Sequence, residues 1–338
     1  MIALAFLLFA GSYQDPVTGN TIRRLTEPGH RASNLYYHFS NFTADNSNII
    51  LAVDGQIYRS EVVGGALHQL TNEPGVSAAA ACPHPTNARL VYYFQGSNLI
   101  ELDIFSKARK TIGTVPEPSI GGHGQPMFSH DLKSVALSRQ RDDKNWEVGL
   151  MDLVTGRYRT VTSVGFRVGH VQHSPKDPLL FYVWETGGYA PQRSWVVNTD
   201  GSANRPFYYR TDPKQWFTPL KEWLTHESFI AATGQMTMIM DKVGIVLVER
   251  DGSNRMLAFG NYWHVAARPD GKFLVADDFD GRVWLIEAAT GNTRLMATGV
   301  RRRNRATHAH ASFDRLGKWI LFNNSYEHDT VSLVAVPE

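Results

Sequence analysis

Histidine is the residue type in this sequence with the clearest capacity for chemistry. The chain of 338 residues contains 13 histidines and a single cysteine, Cys82. One cysteine excludes an intramolecular disulfide framework and any cysteine-based zinc cluster. A transition metal, if one is bound, must therefore be held by imidazole nitrogens and by oxygen atoms.

Two of these histidines have the spacing of paired metal ligands. His308 and His310 are separated by one residue in the segment THAHA, so on a β-strand both side chains would project from the same face. His264, in the segment YWHVA, is the candidate for a third ligand. The alternative is that these histidines only hydrogen-bond neighbouring strands, and for this set we favour the metal interpretation.

The elements that must position these residues are predicted by an internal repeat. A polar turn, mostly Thr-Gly or Asp-Gly, joins two short strands at 15–26, 61–71, 103–113, 152–162, 198–208, 249–259 and 287–297. A second polar turn precedes an apolar strand at 43–53, 84–94, 129–139, 174–184, 231–240, 268–277 and 314–322. A period of about 45 residues with four short strands per repeat is typical of a β-propeller.

The ends of the chain predict how the ring of blades closes. The last repeat, 318–336, has no Thr-Gly hairpin after it, and the first hairpin strand, NTIRRLT (20–26), has no blade before it. If the N-terminal strand pairs with the C-terminal blade, that blade gains its missing strand and the N-terminal strand gains a blade. We therefore predict an all-β, seven-bladed propeller in one domain, 13–338, preceded by an apolar segment, 1–12. The fifth repeat is degenerate, which leaves the blade count open by one.

The repeat also predicts where the histidines meet. The innermost strand of every propeller blade starts at the same end of the central axis, so residues shortly before the first turn of each repeat should line one funnel. Six of the seven repeats have a histidine there: His38, His123, His170, His226, His264, and the pair His308/His310. Taken singly, His38, His123 and His170 are explained by hydrogen bonds between blades.

Composition limits the compartment and the partners. The formal net charge of +2 is too balanced to indicate a nucleic-acid partner. The apolar run at 1–10 is shorter than the roughly 18 residues of a membrane span. It lacks a basic n-region and a clear cleavage site, so we interpret it as a strand, with a signal remnant as the alternative. The expected location is the cytoplasm, with the periplasm or secretion as the alternative.

Several motifs together resemble a known family. DPVTGNTIRRLT, QRSWVVNTDGS, the THE of 225–227, the isolated histidine before a PDG turn, and THAHASF resemble the oligogalacturonate lyases. The resemblance runs from about residue 13 to the C-terminus, and it is most specific where THAHASF and QRSWVVNTDG occur together. It implies a seven-bladed propeller that cleaves short pectin fragments by β-elimination.

The resemblance also implies roles for particular residues. In the family, a manganese ion is held by an H-x-H pair, by a histidine one blade earlier, and by a glutamine three residues before the pair. This implies His264, His308 and His310 as ligands of Mn²⁺ or another divalent cation. The family's base and substrate-binding arginine correspond to His226 and Arg193.

One position departs from the family pattern. The glutamine position is Arg305, and an arginine cannot ligate a metal. The cation would then have three protein ligands plus water or substrate, or Arg305 would take over part of its role. Arg305 follows Arg301, Arg302 and Arg303, and this basic run is either a solvated loop or part of an anion-binding surface.

These observations predict a function and two alternatives. The predicted reaction is metal-assisted β-elimination on an oligogalacturonide or another short acidic oligosaccharide. His226 and Arg193 are the catalytic candidates, and Arg305, His170 and His123 are the candidates for substrate binding. Glu227, next to His226, would point to the opposite face of a regular strand and is given no catalytic role. The alternatives are a propeller that only binds an acidic sugar or acts as a TolB-like interaction module, and an enzyme for another uronate polymer.

Overall fold

Short antiparallel strands separated by tight turns build almost the whole of the described chain. The computed structural model describes residues 11–119, 124–186, 190–209, 222–300, 308–325 and 328–337. Within these ranges the chain forms 29 β-strands in seven sheets, together with one 3₁₀ turn, Ala78–Ala80. The seven sheets are the seven predicted blades.

The described part of the chain begins with a hairpin and continues with four complete blades. The hairpin consists of β1 (Ser12–Gln14) and β2 (Thr21–Arg24). Blade 1 contains β3 (Ala32–Ser33), β4 (Asn48–Val53), β5 (Gln56–Glu61) and β6 (His68–Gln69). Blade 2 contains β7 (Cys82–Pro83), β8 (Leu90–Gln95), β9 (Asn98–Asp103) and β10 (Arg109–Thr114). Blade 3 contains β11 (Met127–Phe128), β12 (Ser134–Gln140), β13 (Trp146–Asp152) and β14 (Tyr158–Val164). Blade 4 contains β15 (Val168–His173), β16 (Leu179–Trp184), β17 (Ser194–Asn198) and β18 (Arg205–Pro206).

Three further blades complete the ring. Blade 5 contains β19 (Leu224–Phe229), β20 (Met236–Met240), β21 (Gly244–Val248) and β22 (Asn254–Phe259). Blade 6 contains β23 (Tyr262–Ala267), β24 (Phe273–Asp278), β25 (Val283–Glu287) and β26 (Thr293–Ala297). Blade 7 contains β27 (Ser312–Phe313), β28 (Trp319–Asn324) and β29 (Thr330–Ala335). In blades 1 to 6 each strand pairs with the next one along the chain.

Blade 7 is completed by the N-terminal hairpin, as the sequence predicts. Strand β2 pairs antiparallel with β29, with Ile22 opposite Val334, and β1 forms the outer edge of the same sheet. Residues far apart in the sequence therefore close the ring through backbone hydrogen bonds, which removes the exposed edge that an unclosed last blade would have. The predicted seven-bladed fold and its closure are both confirmed.

The hydrophobic core lies between neighbouring blades. All six residues of β4 are buried, and Ile50 and Ile57 of blade 1 pack in one cluster with Val91 and Tyr93 of blade 2. The outermost strands are much more exposed, as β10 illustrates. This pattern follows from stacking, because a central strand is covered on both faces only when a blade lies on each side of it.

Aspartates shape the repeated hairpin turns. In the turn after β13, the carboxylate of Asp152 accepts the backbone N–H groups of Val154 and Thr155, and Gly156 takes a φ of 69°. Asp103 makes the same pair of hydrogen bonds after β9. These Asx turns explain the turn motif in the repeats that contain them. Among the described residues, no helix is long and apolar enough to cross a membrane.

Ile22 offers a test of the ring closure. Its side chain is fully buried in the cluster formed with Ile320 and Val334. We expect Ile22→Ala to lower the free energy of unfolding by about 3 kcal/mol, because it leaves a cavity in the closing blade. Val17, in the adjacent turn, is 70% exposed, so Val17→Ala should change the free energy by less than about 0.5 kcal/mol. Chemical denaturation measures both, and equal effects would contradict the role given to this strand.

Candidate active site at the propeller axis

Irregular backbone on the inner strands turns several histidines toward the axis. Register shifts interrupt the first strands of three consecutive blades, β15, β19 and β23, where they pair with their neighbours. The backbone φ is 46° at His170, 54° at His226 and 46° at His310. A positive φ costs a non-glycine residue on the order of 1–3 kcal/mol, and such residues cluster at functional sites. The bulges therefore mark this end of the axis as the candidate site.

The imidazole rings form a continuous cluster around the axis. The His226 ring lies 4.2 Å from the His264 ring between centroids, and the His264 ring lies 4.5 Å from that of His310. On the other side, the His170 ring lies 6.1 Å from both the His226 and the His38 rings. Histidines from blades 1, 4, 5, 6 and 7 thus meet in one place, as the repeat predicts.

His264, His308 and His310 have the arrangement of a metal site. Each offers a ring nitrogen, and these ligand atoms all lie within 4.8 Å of one another. The expectation that His308 and His310 share a face of a regular strand is wrong, because both precede β27 and His310 has a left-handed backbone. The turn nevertheless brings their rings to 5.9 Å between centroids.

A buried carboxylate orients one of these histidines. Asp277, on β24, contacts Nδ1 of His264 at 2.8 Å and also accepts the backbone N–H of His264 at 2.9 Å. Its second oxygen accepts the backbone N–H of His310 at 2.8 Å. A histidine whose Nδ1–H donates to a carboxylate carries its lone pair on Nε2, which is the orientation that metal-binding histidines have. Asp277 therefore prepares His264 as a ligand and ties blades 6 and 7 together.

A second buried carboxylate, Glu227, joins two other predicted site residues. Its Oε1 accepts a hydrogen bond from Nε of Arg193 at 2.6 Å, and its Oε2 contacts Nδ1 of His170 at 2.7 Å. Burial alone would raise the pKa of Glu227, but Arg193 and His170 outweigh burial and hold the pKa well below its usual range. The expectation that Glu227 points away from the site is wrong, since the bulge at His226 breaks the strand alternation.

Arg193 is buried rather than open to solvent. Only 4% of it is exposed, and Nε and Nη2 are both committed to Glu227. Its Nη1 is buried and, among the residues that the structure describes, has no hydrogen-bond partner. A buried donor without a partner carries a desolvation cost, which an incoming acceptor would relieve.

The His226 ring lies between His170, which contacts Glu227, and His264, which contacts Asp277. Burial, together with the neighbouring His264 and His170 imidazoles, holds the pKa of His226 well below its ordinary value. The ring is therefore neutral at neutral pH and can accept a proton. Its Nδ1 lies 3.4 Å from the hydroxyl of Tyr36, which lies at the same distance from Nε2 of His170.

Tyr36 separates two open cavities at this end of the axis. One cavity, of about 820 Å³, is lined by Asn34, Tyr36 and His310, among others. The other, of about 450 Å³, is lined by Tyr36, His170, Glu185 and others. Burial, helped by the charges of Glu227 and Glu185, raises the pKa of Tyr36, so its hydroxyl stays protonated and neutral. The site is therefore a trough that extends to both sides of the histidine cluster.

The described residues contain most of the predicted site. Two predicted substrate-binding residues, His123 and Arg305, lie outside the described residues, as do Arg301, Arg302 and Arg303 and the segment 1–10.

Sequence reasoning missed Asp277 and Tyr36 altogether. Asp277 had a recognisable signal, because it is an acidic residue in the apolar strand FLVADD and pairs in register with His264. Tyr36 had a weaker signal, since it lies in YYH just before the predicted funnel residue His38.

The fold and the site define a class: a seven-bladed β-propeller with an imidazole cluster at one end of its axis. No protein-family model matches the chain. An oligogalacturonide lyase of Pectobacterium atrosepticum is 25% identical over an alignment of 217 residues that covers 57% of this chain. The match spans a little over half, 56%, of that relative's own length.

Solved structures match over nearly the whole chain. An oligogalacturonate lyase in complex with manganese superposes with a TM-score of 0.86 and 20% identity, covering 98% of this chain and 97% of that one. An oligogalacturonate lyase from Vibrio parahaemolyticus gives a TM-score of 0.84 with the same identity and coverage. The resemblance to the oligogalacturonate lyases is thus confirmed, in sequence by the curated relative and in fold by the solved structures.

The buried Glu227 provides a test of how the site is held together. We expect Glu227→Ala to lower the free energy of unfolding by about 3–5 kcal/mol, because it leaves the Arg193 guanidinium buried without a counter-charge. Asp280, whose side chain is 59% exposed beside Arg282, is the control, and Asp280→Ala should have little effect. Denaturant titration of both variants measures the difference. A loss below about 1 kcal/mol for Glu227→Ala would show that Arg193 finds another partner.

Proposed function

We propose that this protein is a lyase that cleaves short oligogalacturonides by β-elimination, with a divalent cation bound at His264, His308 and His310. One observation carries the proposal: His226, a neutral imidazole, lies directly beside this ligand cluster, 4.2 Å between the His226 and His264 ring centroids. β-Elimination needs this juxtaposition, because the C5 proton to be removed is on the carbon that bears the carboxylate. The names of the similar proteins support the same reaction and substrate.

The three histidines fit a divalent cation of the first transition series. Their ligand atoms are close together, Asp277 presents the Nε2 lone pair of His264, and imidazole binds such ions well. When bound, the cation supplies Lewis-acid stabilisation of the negative charge that develops on the substrate carboxylate. We propose Mn²⁺ as the ion, since a solved structure of the same fold is a manganese complex.

His226 is the proposed base. Its partly buried position beside the His264 and His170 imidazoles keeps it neutral, so a lone pair is available for the C5 proton at neutral pH. The electrons of the C5–H bond form the C4–C5 double bond, and the C4–oxygen bond breaks with its electron pair remaining on the leaving oxygen, which then gains a proton. The contact between Tyr36 and Nδ1 of His226 places the Tyr36 hydroxyl oxygen to accept a hydrogen bond from Nδ1–H of His226, which leaves the Nε2 lone pair for the substrate.

Arg193 is proposed to assist by binding the uronate carboxylate through Nη1. Nε and Nη2 are held by Glu227, so the contact is a single hydrogen bond rather than the two-pronged grip that a free guanidinium would make. Glu227 also contacts His170, so the same carboxylate fixes two residues on one side of His226. Because its charge is paired with Glu227, Arg193 would orient the substrate carboxylate more than it would attract it electrostatically.

The trough at the axis accommodates an oligomeric substrate. Cavities of about 820 and 450 Å³ open on the two sides of Tyr36, so a sugar at the histidine cluster has space for a neighbour on each side. His310 borders the larger cavity and His170 the smaller. Short pectin fragments, which are linear chains of uronates, have the shape that such a trough would bind.

The first test concerns the metal. Asp277→Asn should weaken Mn²⁺ binding by about 10- to 100-fold, because the carboxylate that orients His264 is lost. The matched control is Asp278→Asn on the same strand, since Asp278 instead accepts the indole N–H of Trp284 at 2.9 Å. Mn²⁺ titration followed by electron paramagnetic resonance measures both affinities. Equal affinities would contradict the assignment of these three histidines.

The second test concerns the reaction. Purified protein with Mn²⁺ and trigalacturonate should produce the ultraviolet absorbance of an unsaturated uronate, and His226→Ala should reduce the rate by about 10²- to 10⁴-fold. His68→Ala, an exposed histidine on β6, should leave the rate unchanged. Activity that survives His226→Ala would remove the assignment of His226 as the base. Binding of trigalacturonate without any product would instead favour a propeller that only binds acidic sugars.

A further inference from the structure

Trp263 makes a contact that the proposed metal site does not explain. It lies at the bulge of β23, and its indole Nε1 is 2.7 Å from Nδ1 of His308. Its ring also packs 4.7 Å from that of His226 and 4.3 Å from that of Phe279, measured between centroids. One indole therefore touches both a proposed metal ligand and the proposed base.

The direction of this hydrogen bond follows from the chemistry of the two groups. An indole nitrogen only donates, so Nδ1 of His308 must accept through its lone pair. A neutral imidazole whose Nδ1 is an acceptor carries its proton on Nε2. In this conformation neither ring nitrogen of His308 presents a lone pair to a cation.

The other proposed ligand with a defined tautomer is arranged in the opposite way. Nδ1 of His264 faces the carboxylate of Asp277, an acceptor, so the proton is on Nδ1 and the lone pair is on Nε2. His264 is therefore ready to bind a metal, whereas His308 is hydrogen-bonded in a form that competes with binding. The two histidines differ in tautomer because Nδ1 of His264 faces an acceptor, Asp277, whereas Nδ1 of His308 faces a donor, Trp263.

We propose that Trp263 sets the metal affinity of the site by competing with the cation for His308. This inference rests on the proposed function, because it concerns the same three histidines. Metal binding requires His308 to give up the indole N–H, whether His308 then binds through Nδ1 or changes tautomer to bind through Nε2. Trp263 is only partly buried, so the released N–H can be hydrated, and the competition has a modest cost rather than a prohibitive one.

The test compares Mn²⁺ binding by the wild-type protein and by Trp263→Phe. Phenylalanine keeps an aromatic ring between His226 and Phe279 but removes the donor. We expect Trp263→Phe to bind Mn²⁺ about 3- to 10-fold more tightly, the equivalent of one neutral hydrogen bond. Trp284→Phe removes an indole N–H from the same blade that donates to Asp278 instead of His308, so it should bind Mn²⁺ as the wild type does. Electron paramagnetic resonance of unbound Mn²⁺ gives the affinities without relying on turnover.

Intrinsic fluorescence provides a second measurement on the same proteins. Because Mn²⁺ displaces the indole N–H from His308, the emission of the wild type and of Trp284→Phe should change during titration, and this component should be absent in Trp263→Phe. The fluorescence change in the wild type remains informative even if Trp263→Phe does not fold.

The outcomes separate this inference from the proposed function. Tight Mn²⁺ binding that is equal in all three proteins, or a titration without a change in emission, would overturn the role of Trp263 and leave the metal site in place. The absence of Mn²⁺ binding in all three would overturn the metal site and this inference together. Binding by Trp263→Phe that exceeds wild-type binding supports the inference at any absolute affinity.

Discussion

The arrangement at the propeller axis depends on buried carboxylates that hold histidines in fixed orientations. Glu227 contacts Nδ1 of His170 at 2.7 Å, and Asp277 contacts Nδ1 of His264 at 2.8 Å. Each carboxylate also joins neighbouring blades, Glu227 linking blade 5 to blade 4 and Asp277 linking blade 6 to the turn before blade 7. A carboxylate costs several kcal/mol to bury, and only full hydrogen bonding offsets that cost. The hydrogen bonds that allow Glu227 and Asp277 to be buried therefore also fix the positions of the histidines at the site.

These carboxylates explain why the inner strands are irregular. On a regular strand, His226 and Glu227 would point to opposite sides. The bulge and the positive φ at His226 bring both to the interior, so that the imidazole faces the metal ligands while the carboxylate reaches Arg193. The ring of blades, closed by the hairpin at its N-terminal end, supplies the rigidity that sustains this local strain.

The ring and the meeting of the histidines could be predicted from the sequence, because both follow from the repeat. Turn residues recur at each blade, so the strand count and the funnel residues could be read from spacing alone. Glu227 and Asp277 could not be placed in this way. The orientation of Glu227 depends on a bulge, and that of Asp277 depends on pairing with His264 across two strands. Trp263 was missed because its role arises from the direction of a single hydrogen bond, which residue type alone does not reveal.

The charges at the site bear on which group can attract an anionic sugar. Arg193 and Glu227 form a close pair, so their formal charges cancel within the buried network. Asp277 adds a negative charge, and its partner His264 is a neutral imidazole when it serves as a ligand. Glu185, whose carboxylate lies 3.8 Å from Nε2 of His170, adds a further negative charge, so the carboxylates at the histidine cluster would repel a uronate. A divalent cation at the three histidines would offset this negative charge. The proposed reaction consequently depends on the cation more than on Arg193, and any residue that tunes the cation's affinity, as Trp263 is inferred to do, also tunes the attraction for the substrate.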